Sequence, residues 1–225
     1  MKISEIFHSI QGEGILAGVS SVFIRTSGCN LRCTWCDTPY TSWKPEGTDQ
    51  TIDSILEAVR QYPARHMVLT GGEPMLFEES IGLCDELRKL GHHITIETAG
   101  TLYRPVPCDL MSISPKLSNS TPQQDPYWSI QHDKVRMQPE VLRRLMDHCD
   151  YQLKFVVSSP EDLCEIDPLV EQLEADPGKV LLMPEGRDRE TLNERSVWIA
   201  EICKSRGYRY SPRLHVLLWG DKRGI

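Results

Sequence analysis

The stretch SVFIRTSGCNLRCTWCDTPYT, residues 21–41, decides how the rest of the chain is read. It opens with β-branched and aromatic residues, the pattern of a strand, and runs directly into a loop carrying Cys29, Cys33 and Cys36. At this C-x-x-x-C-x-x-C spacing three thiolates can converge on one inorganic centre. Thiolates are the usual protein ligands of iron-sulfur clusters, and a four-iron cluster takes four ligands. Three protein thiolates leave one iron open to an outside ligand. A structural zinc ion is the alternative reading, but it needs a fourth Cys or His at suitable spacing, and none lies nearby in the sequence.

Working outward from that loop, β-rich runs near residues 21–27, 66–70, 92–98, 110–114, 151–157, 179–184 and 208–214 alternate with amphipathic, helix-length segments. TIDSILEAVRQY places Ile52, Ile55, Leu56 and Val59 on one face, and EESIGLCDELRKLG stops at Gly91. Residues 139–148, 160–175 and 189–206 read as helices too. Strand, helix, strand in this order predicts an α/β fold with parallel pairing and right-handed crossovers. About six parallel strands are too few for a closed eightfold barrel, so an open partial (β/α) barrel with helices outside is expected; a doubly wound sheet shares the pattern. In both, the loops after the strand C-termini form the mouth of the site. Residues 117–131, rich in turn formers and aromatics, read as a long loop or flap within a single domain spanning 1–225.

Composition limits the function classes. The chain has 225 residues, 40% of them hydrophobic, and a formal net charge of −7 from 25 basic and 32 acidic side chains. With no dense Lys/Arg run, a nucleic-acid partner is not expected. No apolar stretch suits a membrane span. Glu5 and His8 interrupt what a secretory signal would need as an apolar core. The expectation is a cytoplasmic protein, with Cys84, Cys108, Cys149, Cys164 and Cys203 as small core residues rather than disulfide partners.

The cysteine loop resembles that of the radical S-adenosylmethionine (SAM) superfamily. The resemblance implies a radical SAM core, a 4Fe-4S cluster on Cys29, Cys33 and Cys36, and S-adenosyl-L-methionine bound at the open iron. LTGGEPML follows the last of these cysteines by about 35 residues. It matches the superfamily's element for the methionyl amine, so Gly72 and Glu73 are expected to hold that ammonium by a carbonyl and a carboxylate. At two further strand ends, Glu97 and the SPK run of Ser114, Pro115 and Lys116 are expected to meet the ribose and carboxylate of the cofactor, although a solvated edge charge is the commoner fate of Glu and Lys. Met183 to Gly186 is placed on the adenine side.

A wider set of motifs, SIQGEG, FIRTSGC, WCDTPYT, TGGEP, ETAGT, SPK and LHVLLWG, is similar to the 7-carboxy-7-deazaguanine synthase family. The resemblance implies a carbon-nitrogen lyase that converts 6-carboxytetrahydropterin to 7-carboxy-7-deazaguanine, with loss of ammonia, on the route to 7-deazapurines such as queuosine. On that reading Arg25 takes the substrate carboxylate as a forked donor. Ile10, Gln11, Gly12, Glu13 and Thr70 meet the pterin, and His215 and Ile225 approach it from the end of the chain. Thr38 is a magnesium ligand; a turn role in CDTPY is an equally common use of such a threonine. A small electron donor such as flavodoxin or ferredoxin and a homodimeric state are also implied. Two rivals are a glycyl-radical-enzyme activase, which acts on a protein partner, and a non-enzymatic cluster or zinc protein.

Overall fold

The computed structural model describes all 225 residues. Its frame is one nine-stranded sheet: β1 Lys2–Ile10, β2 Ser20–Thr26, β3 Thr48–Asp49, β4 His66–Gly71, β5 His93–Thr98, β6 Leu110–Ile113, β7 Tyr151–Val157, β8 Val180–Pro184 and β9 Arg209–Tyr210. The strands lie in the order β3-β1-β2-β4-β5-β6-β7-β8-β9. From β2 to β9 each neighbouring pair is parallel, while β1 is antiparallel to both β2 and β3. Each new parallel strand is laid beside the previous one. A doubly wound sheet reverses at a switch point, and this order has no reversal, so the chain winds one way as an open partial barrel.

The helices are α1 Pro39–Ser42, α2 Ile52–Val59, α3 Glu79–Lys89, α4 Pro126–Val135, α5 Pro139–Met146, α6 Leu163–Leu173, α7 Arg189–Arg206 and α8 Leu214–Trp219. Polar side chains start several of them: Thr51 accepts the Ser54 N–H at 3.2 Å and Asp188 the Thr191 N–H at 2.9 Å. α3 packs on β5, α5 on β6 and β7, and α7 on β8 and β9.

The two-residue period of the strands sorts their side chains between two environments. Val22 and Ile24, Met67 and Leu69, Ile94 and Ile96, Met111 and Ile113, and Leu153, Phe155 and Val157 join one buried cluster of 34 residues beneath the helices. Each fully buried side chain of this size contributes roughly 1.5–3 kcal/mol. The alternate positions carry Arg25, Thr70, Glu97, Lys154 and Met183, and these face the cavity on the other side.

Four expectations are corrected. The antiparallel strand β1 precedes the first expected strand. The run 208–214 forms a strand only at Arg209–Tyr210; Ser211 still donates its N–H to Leu182, at 2.9 Å, but Pro212 has no N–H to continue the ladder, and the chain turns into α8. Residues 117–131 are not an irregular loop: a 3-10 turn covers Ser118–Ser120 and α4 starts at Pro126. There Asp125 accepts the Trp128 N–H at 3.0 Å and proline occupies the first helical position. Cys164 is exposed on α6, whereas Cys84, Cys108 and Cys203 are buried and Cys149 is half-buried; none forms a disulfide.

Candidate active site

A cavity of about 520 Å³ opens at the C-terminal ends of the parallel strands, within the ~300–1,000 Å³ span of small-molecule sites. Its walls carry seven Lys and Arg side chains against five Asp and Glu, in a chain whose net charge is −7.

Cys29, Cys33 and Cys36 all line this cavity. The loop that bears them is fixed from several directions. Arg32 donates its N–H to His132 Nδ1 at 3.1 Å, Thr34 donates its N–H to Ser120 O at 2.8 Å, and Trp43 Nε1 donates to Cys33 O at 3.1 Å. Cys36 Sγ stands 3.2 Å from Ser42 Oγ, and Arg187 donates to Cys36 O. Burial pushes the Cys29 thiol up to about 12, with the Glu73 carboxylate adding to the effect. Burial does the same to Cys33, up to about 12, against the pull of Lys116.

At the end of β4 the two glycines let the chain pass close beneath that loop. A Cβ on Gly71, whose φ is +139°, would lie 2.3 Å from Thr26 O, and one on Gly72 would lie 2.1 Å from Gly28 O. Gly72 lines the cavity. The Glu73 side chain does not: it is fully buried and accepts from Met75 N–H at 3.0 Å, Thr98 Oγ1 at 2.8 Å and Ala99 N–H at 2.9 Å. These donors turn the group toward the end of β5 and fill Oε1, while Oε2 accepts only one of them and keeps an acceptor site. Ser114 and Lys116 reach the cavity, with Lys116 Nζ 2.7 Å from Ser114 Oγ and 5.7 Å from the Trp35 ring. Pro115 is buried behind them and is not part of the wall. Met183 and Glu185 are.

Other wall residues gather those expected to meet substrate, joined by Glu97, which was expected at the cofactor. Glu97 accepts from Gln11 Nε2 at 3.0 Å and from Thr70 Oγ1 at 2.8 Å, which joins three separately expected residues into one unit. Arg25 donates from Nε to Glu5 at 2.7 Å, and this leaves its terminal nitrogens for a ligand. Gly12 sits under His215: a Cβ there would be 2.0 Å from His215 Nδ1. Burial lowers the His215 pKa, with Glu13 working the other way, so its imidazole is neutral near pH 7. Ile10, Thr38 and Ile225 also line the cavity. The tail is tied to the start of the chain by Arg223, which donates to Glu5 at 3.1 Å and Glu46 at 3.0 Å and stacks 3.8 Å from the centre of the Tyr40 ring.

Sequence reasoning missed Lys154, Arg213, Asp37 and Arg187. Lys154 donates to Glu13, and Arg213 donates to Glu13 at 3.2 Å and also to Asp37. Burial alone would raise the Glu13 carboxyl pKa, but Lys154 and Arg213 outweigh it and hold the group well below the usual carboxylate range. One signal was present: Lys154 interrupts the apolar run of a fully buried parallel strand.

Residues 23–117 match the family model described as the Radical SAM superfamily. The chain is 46% identical to 7-carboxy-7-deazaguanine synthase of Halobacterium salinarum, with 98% of this chain and 91% of that protein aligned. It is 48% identical to the synthase of Rhodopirellula baltica over 99% of this chain and 88% of that one. The chain belongs to the 7-carboxy-7-deazaguanine synthase family. The crystal structure of QueE from Escherichia coli has the same fold, with a TM-score of 0.67 at 27% identity over 93% of this chain and 92% of that one.

Membership brings with it a 4Fe-4S cluster and SAM, and the donor set fits them. Buried thiols with such high pKa values ionise only when a metal takes them. A lone tetrahedral zinc draws its thiolates to about 2.3 Å from one point. Such a structural ion is closed by a fourth Cys or His, whereas three free thiols on one cavity wall suit the protein-held corners of a larger cluster.

Proposed function

We propose that this chain converts 6-carboxytetrahydropterin to 7-carboxy-7-deazaguanine with release of ammonia. The observation that carries the reading is that three free thiols and a separate set of pterin-complementary groups line one cavity. When bound, cluster and SAM supply a 5'-deoxyadenosyl radical that takes hydrogen from the substrate and is regenerated.

Cys29, Cys33 and Cys36 hold the cluster. Gly72, Ser114 and Lys116 seat the cofactor. Arg25 offers its free terminal nitrogens to the substrate carboxylate, a pairing favoured by the planar fork of the guanidinium. Gln11, Glu13, Thr70 and Glu97 form the edge that meets the aminopyrimidine, where ionised carboxylates accept N–H donors. Neutral His215 is able to accept or pass a proton beside the ring. Ile10, Gly12 and Ile225 complete the wall and keep water from the reacting face. Thr38 contributes its hydroxyl to Mg2+, which commonly takes one or two protein ligands and fills the remaining positions with water and substrate oxygens.

In this reading the protein works in the cytoplasm as a homodimer, reduced by a small electron-transfer protein such as flavodoxin or ferredoxin. Nucleic acid is not a partner. No helix is long and apolar enough to cross a membrane.

The test is an anaerobic assay of the reconstituted protein with the pterin, SAM, reductant and magnesium, following 7-carboxy-7-deazaguanine by mass. Product is expected from the native chain, none from Cys33→Ala, and less when a chelator removes magnesium. Deoxyadenosine release without product would discard the substrate.

A further inference from the structure

We propose that Arg213 is a positioning residue that ties the substrate end of the cavity to the cysteine loop. The role rests on Glu13 meeting the pterin, as proposed above.

The guanidinium is a planar fork of five N–H donors, and here three of its nitrogens are directed to three different segments. Nε donates to Glu13 Oε1 at 3.2 Å in the turn after β1. One terminal nitrogen donates to Asp37, the residue next to Cys36, and the other to Gly186 O at 2.6 Å beyond β8. Its side chain is 7% exposed. Lysine, a point charge on a flexible stem, cannot hold these directions at once.

Glu13 shows what the arrangement does. Its Oε1 accepts from Arg213 and its Oε2 from Lys154 of β7. A carboxylate oxygen has about two lone-pair sites, so each oxygen keeps one for a ligand in the cavity. Burial favours the protonated carboxyl, and the two cations overcome it, so Glu13 remains an acceptor for N–H groups. Arg213 thereby fixes the charge of Glu13 and also its place relative to Cys36. Radical hydrogen transfer depends on one substrate carbon standing at one spot, and a shift of about 1 Å can cost about a hundredfold in rate.

The experiment compares the native protein with Arg213→Gln, Arg213→Lys and Asp37→Asn. Deoxyadenosine and product are counted in the reconstituted enzyme. Binding of 6-carboxypterin, a stable oxidised analogue, is measured by equilibrium dialysis against the reconstituted enzyme, alongside melting temperature and iron content. Both Arg213 variants are expected to keep their iron yet release about tenfold more deoxyadenosine per product. Arg213→Gln weakens the analogue about tenfold. Asp37→Asn uncouples similarly but holds the analogue within about twofold, since Glu13 keeps both cations. Native coupling in Arg213→Lys and Asp37→Asn would overturn the role, and those two variants decide it if Arg213→Gln fails to fold. A lower melting temperature with unchanged coupling also overturns it, leaving a purely structural arginine. Should the native enzyme release deoxyadenosine and no product, the substrate reading fails and this proposal falls with it.

Discussion

Gly72 and Glu73 are adjacent in sequence and have separate duties. Gly72 is needed for space: its missing Cβ is what allows the Gly28 carbonyl to approach. Gly72→Ala is expected to cost about 1–3 kcal/mol as strand end and loop are forced apart, and to lower iron uptake on reconstitution; urea unfolding and an iron assay check both. Glu73 is needed for its acceptors. In Glu73→Gln the amide would turn donors toward at least one of Met75 N–H, Thr98 Oγ1 or Ala99 N–H. The expected loss is about 1–3 kcal/mol, read by urea unfolding. The GGEP motif was readable in the sequence, but the direction of its carboxylate was not, because that also depends on Thr98 and Ala99, about 25 residues away. The same limit hid Arg213 and Asp37, whose partners come from distant turns, whereas the three cysteines announce themselves within eight positions.

Among the elements, α4 changes meaning most. Its turn-rich approach concealed the Asp125-Pro126 start, and the helix turns out to brace the cysteine loop. His132 is fully buried. Its Nδ1 accepts from Arg32 N–H, so its Nε2 carries the proton toward Ser120 Oγ, 2.9 Å away. Burial holds the His132 pKa down at about 4. A histidine depressed below its unfolded value of about 6.5 gives stability that is complete above pH 6.5 and is lost as the pH falls toward 4; the amount is on the order of 3 kcal/mol. Urea midpoints at pH 7.5, 6 and 5 are expected to fall more steeply for the native chain than for His132→Gln. An equal slope in both would remove His132 from the acid sensitivity. α2, whose Ile55, Leu56 and Val59 are buried on one face, was legible from spacing alone. β1 was not, because its half-exposed residues dilute the alternation.

At the scale of the whole molecule, the one-way winding carries the chain from β2 to β9, and its tail returns to β1. Arg223 closes that circuit through Glu5, which also receives Arg25 and Tyr40. The Arg223 side chain is 44% exposed, so its ion pairs are screened and each contributes no more than about 1 kcal/mol. Arg223→Ala is expected to raise KM for the pterin about fivefold, leave the melting temperature within about 2 °C, and make little change to kcat; steady-state kinetics and a thermal scan check this. The parallel α/β plan was legible because buried strands and amphipathic helices alternate visibly. The open barrel was expected over a doubly wound sheet from the small number of strands, and the strand order, a property of pairing that local sequence does not carry, bears it out.

The open sheet has one more consequence. A barrel that stays unclosed has two free margins, and a long bare margin offers unpaired N–H and C=O groups on which a neighbouring chain can grow a strand. Here the outermost strands, Thr48–Asp49 and Arg209–Tyr210, are two residues each. The molecule thus keeps its mouth wide for ligands while giving a second chain almost nothing to template on, a built-in guard against aggregation.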